Sequence, residues 1–544
     1  MRALNVLLIC ILLSACGKHA QPPAPARAAA PSPAAQEAHT PETASGQVFP
    51  GSKSGESADS FFDPKNYPNA AQGTIVDPRT LTATERKYGM APKRDPRVTY
   101  QDGVILMEQG DQAIRGAKTD GMTFTFDAKA EHVNEFAEGK IIFATGRVVG
   151  RVGQLTQNGD TVTVTLTPVQ ITDIVKKGTF MMHSDFSPKD LIIYMAPDFP
   201  NTIDNTAAQH PASFFPEPSD SRYPSAGFIK TQLPSQLGKD LSTTRPWMPD
   251  TSNEPTLSLP AAGLTVAPAI GSDGGIGVNF SYVKQGIVFN AYGQMVVPAP
   301  HVDFLLDIDS SGVKTFGIQI KGSISLRGSI EATSDTNQFI NVNATTAAPL
   351  DMSLPCPIAG LPLALTFSSA FNLHTNFAAK TSTLTSSGSW KLNGTLFAGY
   401  KDGSKSHETP PTQEDSPLLG HISGVSLGIN RIGVGMRIAP MIGLGGFGFT
   451  TGVYLGVTFT ADIAKSGAEM FDCHVASGGA SVDSGVGYRL PAGLVYLVNK
   501  ILKLFKYQID QQGTIIKGWG GELFKINQDS PRGCAGLGAP PTAS

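Results

Sequence analysis

The sequence predicts an all-β fold: a small antiparallel β domain, then a large elongated β-sandwich or curled sheet with long amphipathic strands, and one C-terminal amphipathic helix. Three observations predict it. Apolar and polar residues alternate over unusually long runs between 316 and 459, the period of a strand with one buried face. Gly (58) and Pro (40) are abundant, which favours turns and bends over helices. Asn158-Gly159 sits between two alternating runs, the strongest short hairpin signal a sequence offers.

At the N-terminus, residues 3–15 are mostly apolar behind Arg2. Such a stretch is too short to span a bilayer and has the proportions of a secretory signal. It ends Leu13-Ser14-Ala15-Cys16, which resembles the lipobox of bacterial lipoproteins. The resemblance implies that residues 1–15 are removed as a signal peptide, that the Cys16 thiol receives a diacylglycerol and that the new amino terminus is acylated. The membrane is then a partner through this anchor. Each buried methylene contributes about 0.8 kcal/mol, and more than one chain gives stable attachment. Gly17 follows the cysteine where inner-membrane lipoproteins usually carry aspartate, which implies the outer membrane. Residues 16–60 read as a flexible Pro/Ala-rich tether, because "QPPAPARAAAPSPAAQ" cannot bury a core.

Residues 61–96 form an irregular connector with a short helical stretch in "TLTATERKYG". Residues 97–180 read as the small antiparallel β domain, with strict alternation in "MTFTFD" and the Asn158-Gly159 hairpin. Prolines, among them Pro197, Pro200, Pro211, Pro216, Pro218, Pro224, Pro234, Pro246 and Pro249, break all periodicity over 181–256. Its Phe214, Phe215, Tyr223 and Trp247 suit a connection lying against a neighbouring domain or an exposed binding loop.

The large β domain spans 257–460. Phe316, Ile318, Ile320, Ile324, Leu326 and Ile330 alternate with polar residues over about fifteen positions, where a mean strand has about five or six. The pattern recurs from Leu361 to Phe377, from Trp390 to Tyr400 and from Phe447 to Phe459, with "DIDSSGV" and "YKDGSK" as turns. Three architectures fit: a two-sheet sandwich with its oily faces together, a transmembrane barrel with them outward, or a curled sheet around a helix, a shape resembling tubular lipid-binding proteins. Residues 461–544 hold the predicted helix. Leu494, Leu497, Val498, Ile501 and Phe505 share one face, and Lys500, Lys503 and Lys506 the other. The apolar side either plugs the β core, lies on a membrane surface, or forms, through Leu497, Ile501 and Phe505, one wall of a hydrophobic ligand cavity.

Only 16% of residues are charged and the formal net charge is −3, so nucleic acid is not expected as a partner. After Cys10 leaves and Cys16 is lipidated, Cys356, Cys473 and Cys534 remain. Export exposes them to oxidising conditions. The expected disulfide joins Cys473 to Cys534, worth about 4 kcal/mol in the chain-entropy picture, and Cys356 is expected as a buried thiol.

No cofactor, metal spacing or catalytic residue is predicted. Gly424-Val425-Ser426-Leu427-Gly428 matches the hydrolase GxSxG pattern, but it lies among strands where that motif needs a strand-turn-helix elbow. His183 and Asp185 are a candidate metal or base pair without an evident third partner. The sequence therefore predicts a non-enzymatic, lipid-anchored cell-envelope protein whose β body is an adhesion, binding or structural module, with another envelope protein as a candidate partner. The alternative is a carrier of lipid or another hydrophobic ligand in a β cavity. A serine hydrolase is the third reading.

Overall fold

The computed structural model describes residues 47–118, 121–187, 190–195, 202–203, 264–270, 275–284, 287–296, 300–334, 340–347, 350–377, 382–417, 422–423, 428–446, 449–468, 471–489 and 512–530. Strands take up 65% of the described residues and helices 9%, so the fold is all-β. The chain divides into two units between Ser45 and Gly46, and the described residues belong to the second.

Two large sheets carry the body. In the first, a 13-stranded sheet, the central element is Gly312–Ser334, a strand of 23 residues that runs about 75 Å at about 3.3 Å per residue. It pairs along its length with Ser382–Lys401 on one side. On its other side its first half meets His301–Asp309 and its second half meets Ile287–Val296. The second large sheet has nine strands, with Ala364–Phe377, Gly428–Gly445, Thr450–Ala468, Phe471–Arg489 and Gln512–Ser530 in antiparallel succession.

Alternation decides which face each strand buries. Phe316, Ile318, Ile320, Ile324, Leu326 and Ile330 all enter one core together with Trp390, Leu392 and Leu396. Val453, Leu455, Val457, Phe459 and Phe524 enter the same core from the second sheet. Trp390 packs between them, 4.8 Å from the Phe459 ring and 5.2 Å from Phe524. Among the described residues the oily faces of the two sheets meet, which is consistent with a sandwich. Full burial of each such side chain contributes about 1.5–3 kcal/mol, so the two sheets are held by their inner faces.

The turns lie where the sequence places them. Gly159 (φ 57°) follows the paired Asn158, and Asp402 and Gly403 (φ 48° and 90°) connect Lys401 to Ser404. Two positive φ values in succession fit the hairpin turn whose twist matches that of its strands.

A six-stranded sheet lies between 104 and 167, where the small domain is expected, and its Val104–Leu106 and Ile141–Phe143 strands pair in parallel. The expected antiparallel domain therefore contains a parallel pair. Strand Val175–Asp185, in which both the small domain and the proline-rich segment were expected to end or begin, instead pairs with His301–Asp309 in the large sheet.

Other expectations shift as well. The segment expected as tether up to residue 60 already contributes strands Val48–Phe49 and Ser52–Ser54 to the first large sheet. Phe49, 5.4 Å from the Phe524 ring, supplies the apolar contact that holds this end. Residues 192–195 of the proline-rich segment pair with Leu350–Pro355, while 204–256 lie outside the described residues. The C-terminal segment contains two 19-residue strands, Phe471–Arg489 and Gln512–Ser530. The predicted helix within 491–509 lies outside the described residues.

Candidate functional site

A polar constellation on the first large sheet comes from three adjacent strands. His183 and Asp185 are two apart on Val175–Asp185, and His301 and Asp303 are two apart on His301–Asp309. Residues two apart share a strand face. The antiparallel register sets His183 opposite Asp303 and Asp185 opposite His301. The next strand adds Gln319 beside Asp303 and Lys321 beside His301. The intervening residues Met182, Val302, Phe304, Ile318 and Ile320 turn to the other face and are buried in the main core, which fixes the register of the polar row.

The same face becomes apolar farther along the strands. Met181, Leu305 and Phe397 pack there with Ala58, Phe61 and Phe62 of the N-terminal segment. Asp59, in the four-residue helix Ala58–Phe61, reaches Lys321 at 3.1 Å.

Distances show a network centred on Asp303, whose side chain is 3% exposed. Its Oδ1 lies 2.6 Å from His183 Nδ1 and 3.0 Å from His301 Nε2. Its Oδ2 lies 3.4 Å from Lys321 Nζ. The remaining His301 nitrogen, Nδ1, lies 2.7 Å from Oδ1 of the exposed Asp185. Burial works against a charged Asp303, but the His183 hydrogen bond, the Lys321 ammonium and the two imidazoles outweigh it and hold the carboxyl below its ordinary range. Burial likewise opposes a charged Lys321, and Asp303 and Asp59 more than compensate, holding its pKa above the ordinary value. One donor atom each from His183, His301 and Asp303 lies within 4.8 Å of the others, so these three residues have the spacing to hold a metal ion.

His183 and Asp185 stand out in the sequence, but their partners do not. The structure pairs His183 with Asp303 and Asp185 with His301. The missed signal is the repeated His-x-Asp spacing, His183-Ser184-Asp185 and His301-Val302-Asp303, each within a run of strand-forming residues.

Between the sheets, an apolar void of about 10 Å³ is lined by Phe186, Met295, Val302, Ile320, Leu365 and Phe367 among others. It has room for about one water-sized sphere and nothing larger. Beside this region Cys356 is fully buried and free, its thiol pushed up to about 12 by burial. Cys473 lies on a strand opposite Ser466. Cys16, Cys534, Leu497, Ile501 and Phe505 lie outside the described residues, as do residues 424–427 of the GxSxG stretch.

Comparison with known proteins finds two families. One, described as a domain of unknown function (DUF8403), matches residues 84–177, the region of the small sheet. No curated protein matches the chain. No solved structure matches it either. A second family model matches residues 245–517, about half of the chain, from ahead of His301 to within the last long strand, and by that match the protein belongs to the family described as a domain of unknown function, DUF8402.

Proposed function

We propose that this protein is a lipid-anchored component of the cell envelope, held at the outer membrane through Cys16, with a non-enzymatic β body that serves as an adhesion, binding or structural module. The observation that supports a module over a carrier is the close packing of the inner faces among the described residues. The oily faces of the long strands meet each other through Trp390, Phe459 and Phe524, and the void lined by Phe186, Ile320 and Phe367 measures about 10 Å³. Ligand pockets for drug-sized molecules run to roughly 300–1,000 Å³. A rigid two-sheet body with long strands suits presentation of a surface, not enclosure of a lipid chain.

The Cys16→Ser variant tests both halves of this reading. It is expected in the soluble fraction while the parent pellets with membranes, and native mass spectrometry of it is expected to show the bare protein mass. Membrane pelleting of Cys16→Ser after a salt wash would overturn the anchor. A reproducibly bound lipid would replace the module with the carrier reading.

A further inference from the structure

We propose that His183, His301 and Asp303 form a binding site for a divalent transition metal of the zinc class. The placement of His301 between two carboxylates is the central observation. Its Nδ1 lies 2.7 Å from Asp185 Oδ1 and therefore carries the proton that the carboxylate accepts. In the neutral ring the other nitrogen, Nε2, is then a bare lone pair. That lone pair faces the Asp303 carboxylate oxygen at 3.0 Å. His183, His301 and Asp303 thus converge one ligand atom each within 4.8 Å, the spacing that a metal ion fills.

The Asp185–His301 contact is also the arrangement that metal-ligating histidines use, in which a carboxylate takes the second ring proton, fixes the tautomer and raises the basicity of the ligating nitrogen. His183 supplies a second imidazole, with Nδ1 2.6 Å from the same Asp303 Oδ1. Lys321 does not occupy this position, since it approaches the other carboxylate oxygen, Oδ2. Carboxylates surround the cluster. Asp59 and Asp303 flank the ammonium of Lys321, and Asp185 adds a third carboxylate beside His301, so acidic groups outnumber the lysine around the site.

Two imidazoles and one carboxylate select a borderline metal over calcium or magnesium, which prefer all-oxygen shells. A tetrahedral ion with bonds of about 2.0–2.1 Å wants donors roughly 3.3 Å apart. The 2.6 and 3.0 Å separations reach that spacing by small side-chain rotations. Three protein ligands leave a fourth position for water or for a group from a partner.

The test uses the purified full-length protein in detergent, stripped with a chelator and titrated with Co²⁺ alone while visible absorption is recorded. One saturating equivalent with d–d bands, displaced by Zn²⁺ and not by Ca²⁺ or Mg²⁺, is expected. His301→Gln is expected to abolish the signal, and Asp185→Ala, which alters only the support of His301, to weaken binding about 10–100-fold. No saturable absorption, absorption unchanged in His301→Gln and His183→Gln, or equal displacement by Ca²⁺ would overturn the proposal. If His301→Gln loses its β-sheet circular dichroism, Asp185→Ala decides alone, because Asp185 is 84% exposed and makes little of the core; unchanged cobalt affinity in that variant rejects the site.

Discussion

The Gln528 amide donates a 3.2 Å hydrogen bond to the Glu414 carboxylate, and in doing so links the two large sheets through a polar contact inside their joint. Glu414 sits on Thr412–Ser416 and is buried. Burial raises its carboxyl above the ordinary value, with the Gln528 bond opposing in part. A raised folded-state value for an acid means that the folded protein holds the proton more tightly than the unfolded chain does. Stability from this group is therefore complete below the unfolded value, near 4.5, and declines as pH climbs through the folded one. Glu414→Gln keeps the amide contact and removes the buried charge. It is expected to raise the thermal midpoint at pH 7 and to flatten the pH dependence above 4.5. Melting curves across pH check this, and a lower midpoint at pH 7 would contradict it.

Phe61 lies across a pair of opposed glycines. A Cβ at Gly317 would come within 2.5 Å of its ring, and one at Gly399 within 2.8 Å. These two glycines make the floor on which the Ala58–Phe61 turn docks. Gly399→Ala is expected to cost about 1–3 kcal/mol by overpacking, and Phe61→Ala about 3–5 kcal/mol by leaving a cavity. Urea unfolding would measure both. A neutral Gly399→Ala would show that the aromatic cluster shifts freely.

Cys356 is predicted to be chemically silent in the folded state. With its thiol pushed up to about 12 and no exposed surface, it holds almost no thiolate at neutral pH. A thiol reagent is expected to leave it unlabelled in native protein and to label it once the protein is unfolded. Peptide mapping without reduction is expected to find Cys473 joined to Cys534. Rapid native labelling of Cys356, or a bridge that includes it, would refute the assignment.

Arg437 reaches across Gly456 to form a two-pronged ion pair with Asp483, with Nη2 2.8 Å from Oδ2. The guanidinium is almost fully buried. Removing one partner from such a pair leaves a buried charge with less compensation and typically costs about 3–5 kcal/mol. Asp483→Ala is expected at about 3 kcal/mol, the low end of that range, since Asp483 keeps some solvent contact. Chemical denaturation gives the figure, and a loss under about 1 kcal/mol would show the pair to be no stronger than a surface contact.

The fold was readable where one strand face carries large apolar side chains. From Phe316 to Ile330 the inward positions are Phe, Ile and Leu, so the period of two stands out. In Phe471–Arg489 the buried positions are Ala476, Ala480, Val482 and Val486, interspersed with glycine and serine, and the same period yields almost no hydrophobic contrast. Strands Val48–Phe49 and Ser52–Ser54 are too short to show any period. The polar array was hidden for another reason. His183 and Asp303 are 120 residues apart, and only the sheet register brings them together. Local patterning carries the identity of a strand, whereas its neighbours are chosen by the whole chain.

That separation has a counterpart in the order of assembly. Val48 and Phe49 pair with Gln413 and Thr412, and Ser52 with Thr409. A ribosome releases the N-terminal strands long before their partners exist. Closing so long a loop carries an entropic cost before any contact offsets it. Loop closure of this length favours late docking of Val48–Phe49 and Ser52–Ser54, and until they dock the pairing edges of Ser404–Thr409 and Thr412–Ser416 stay uncovered.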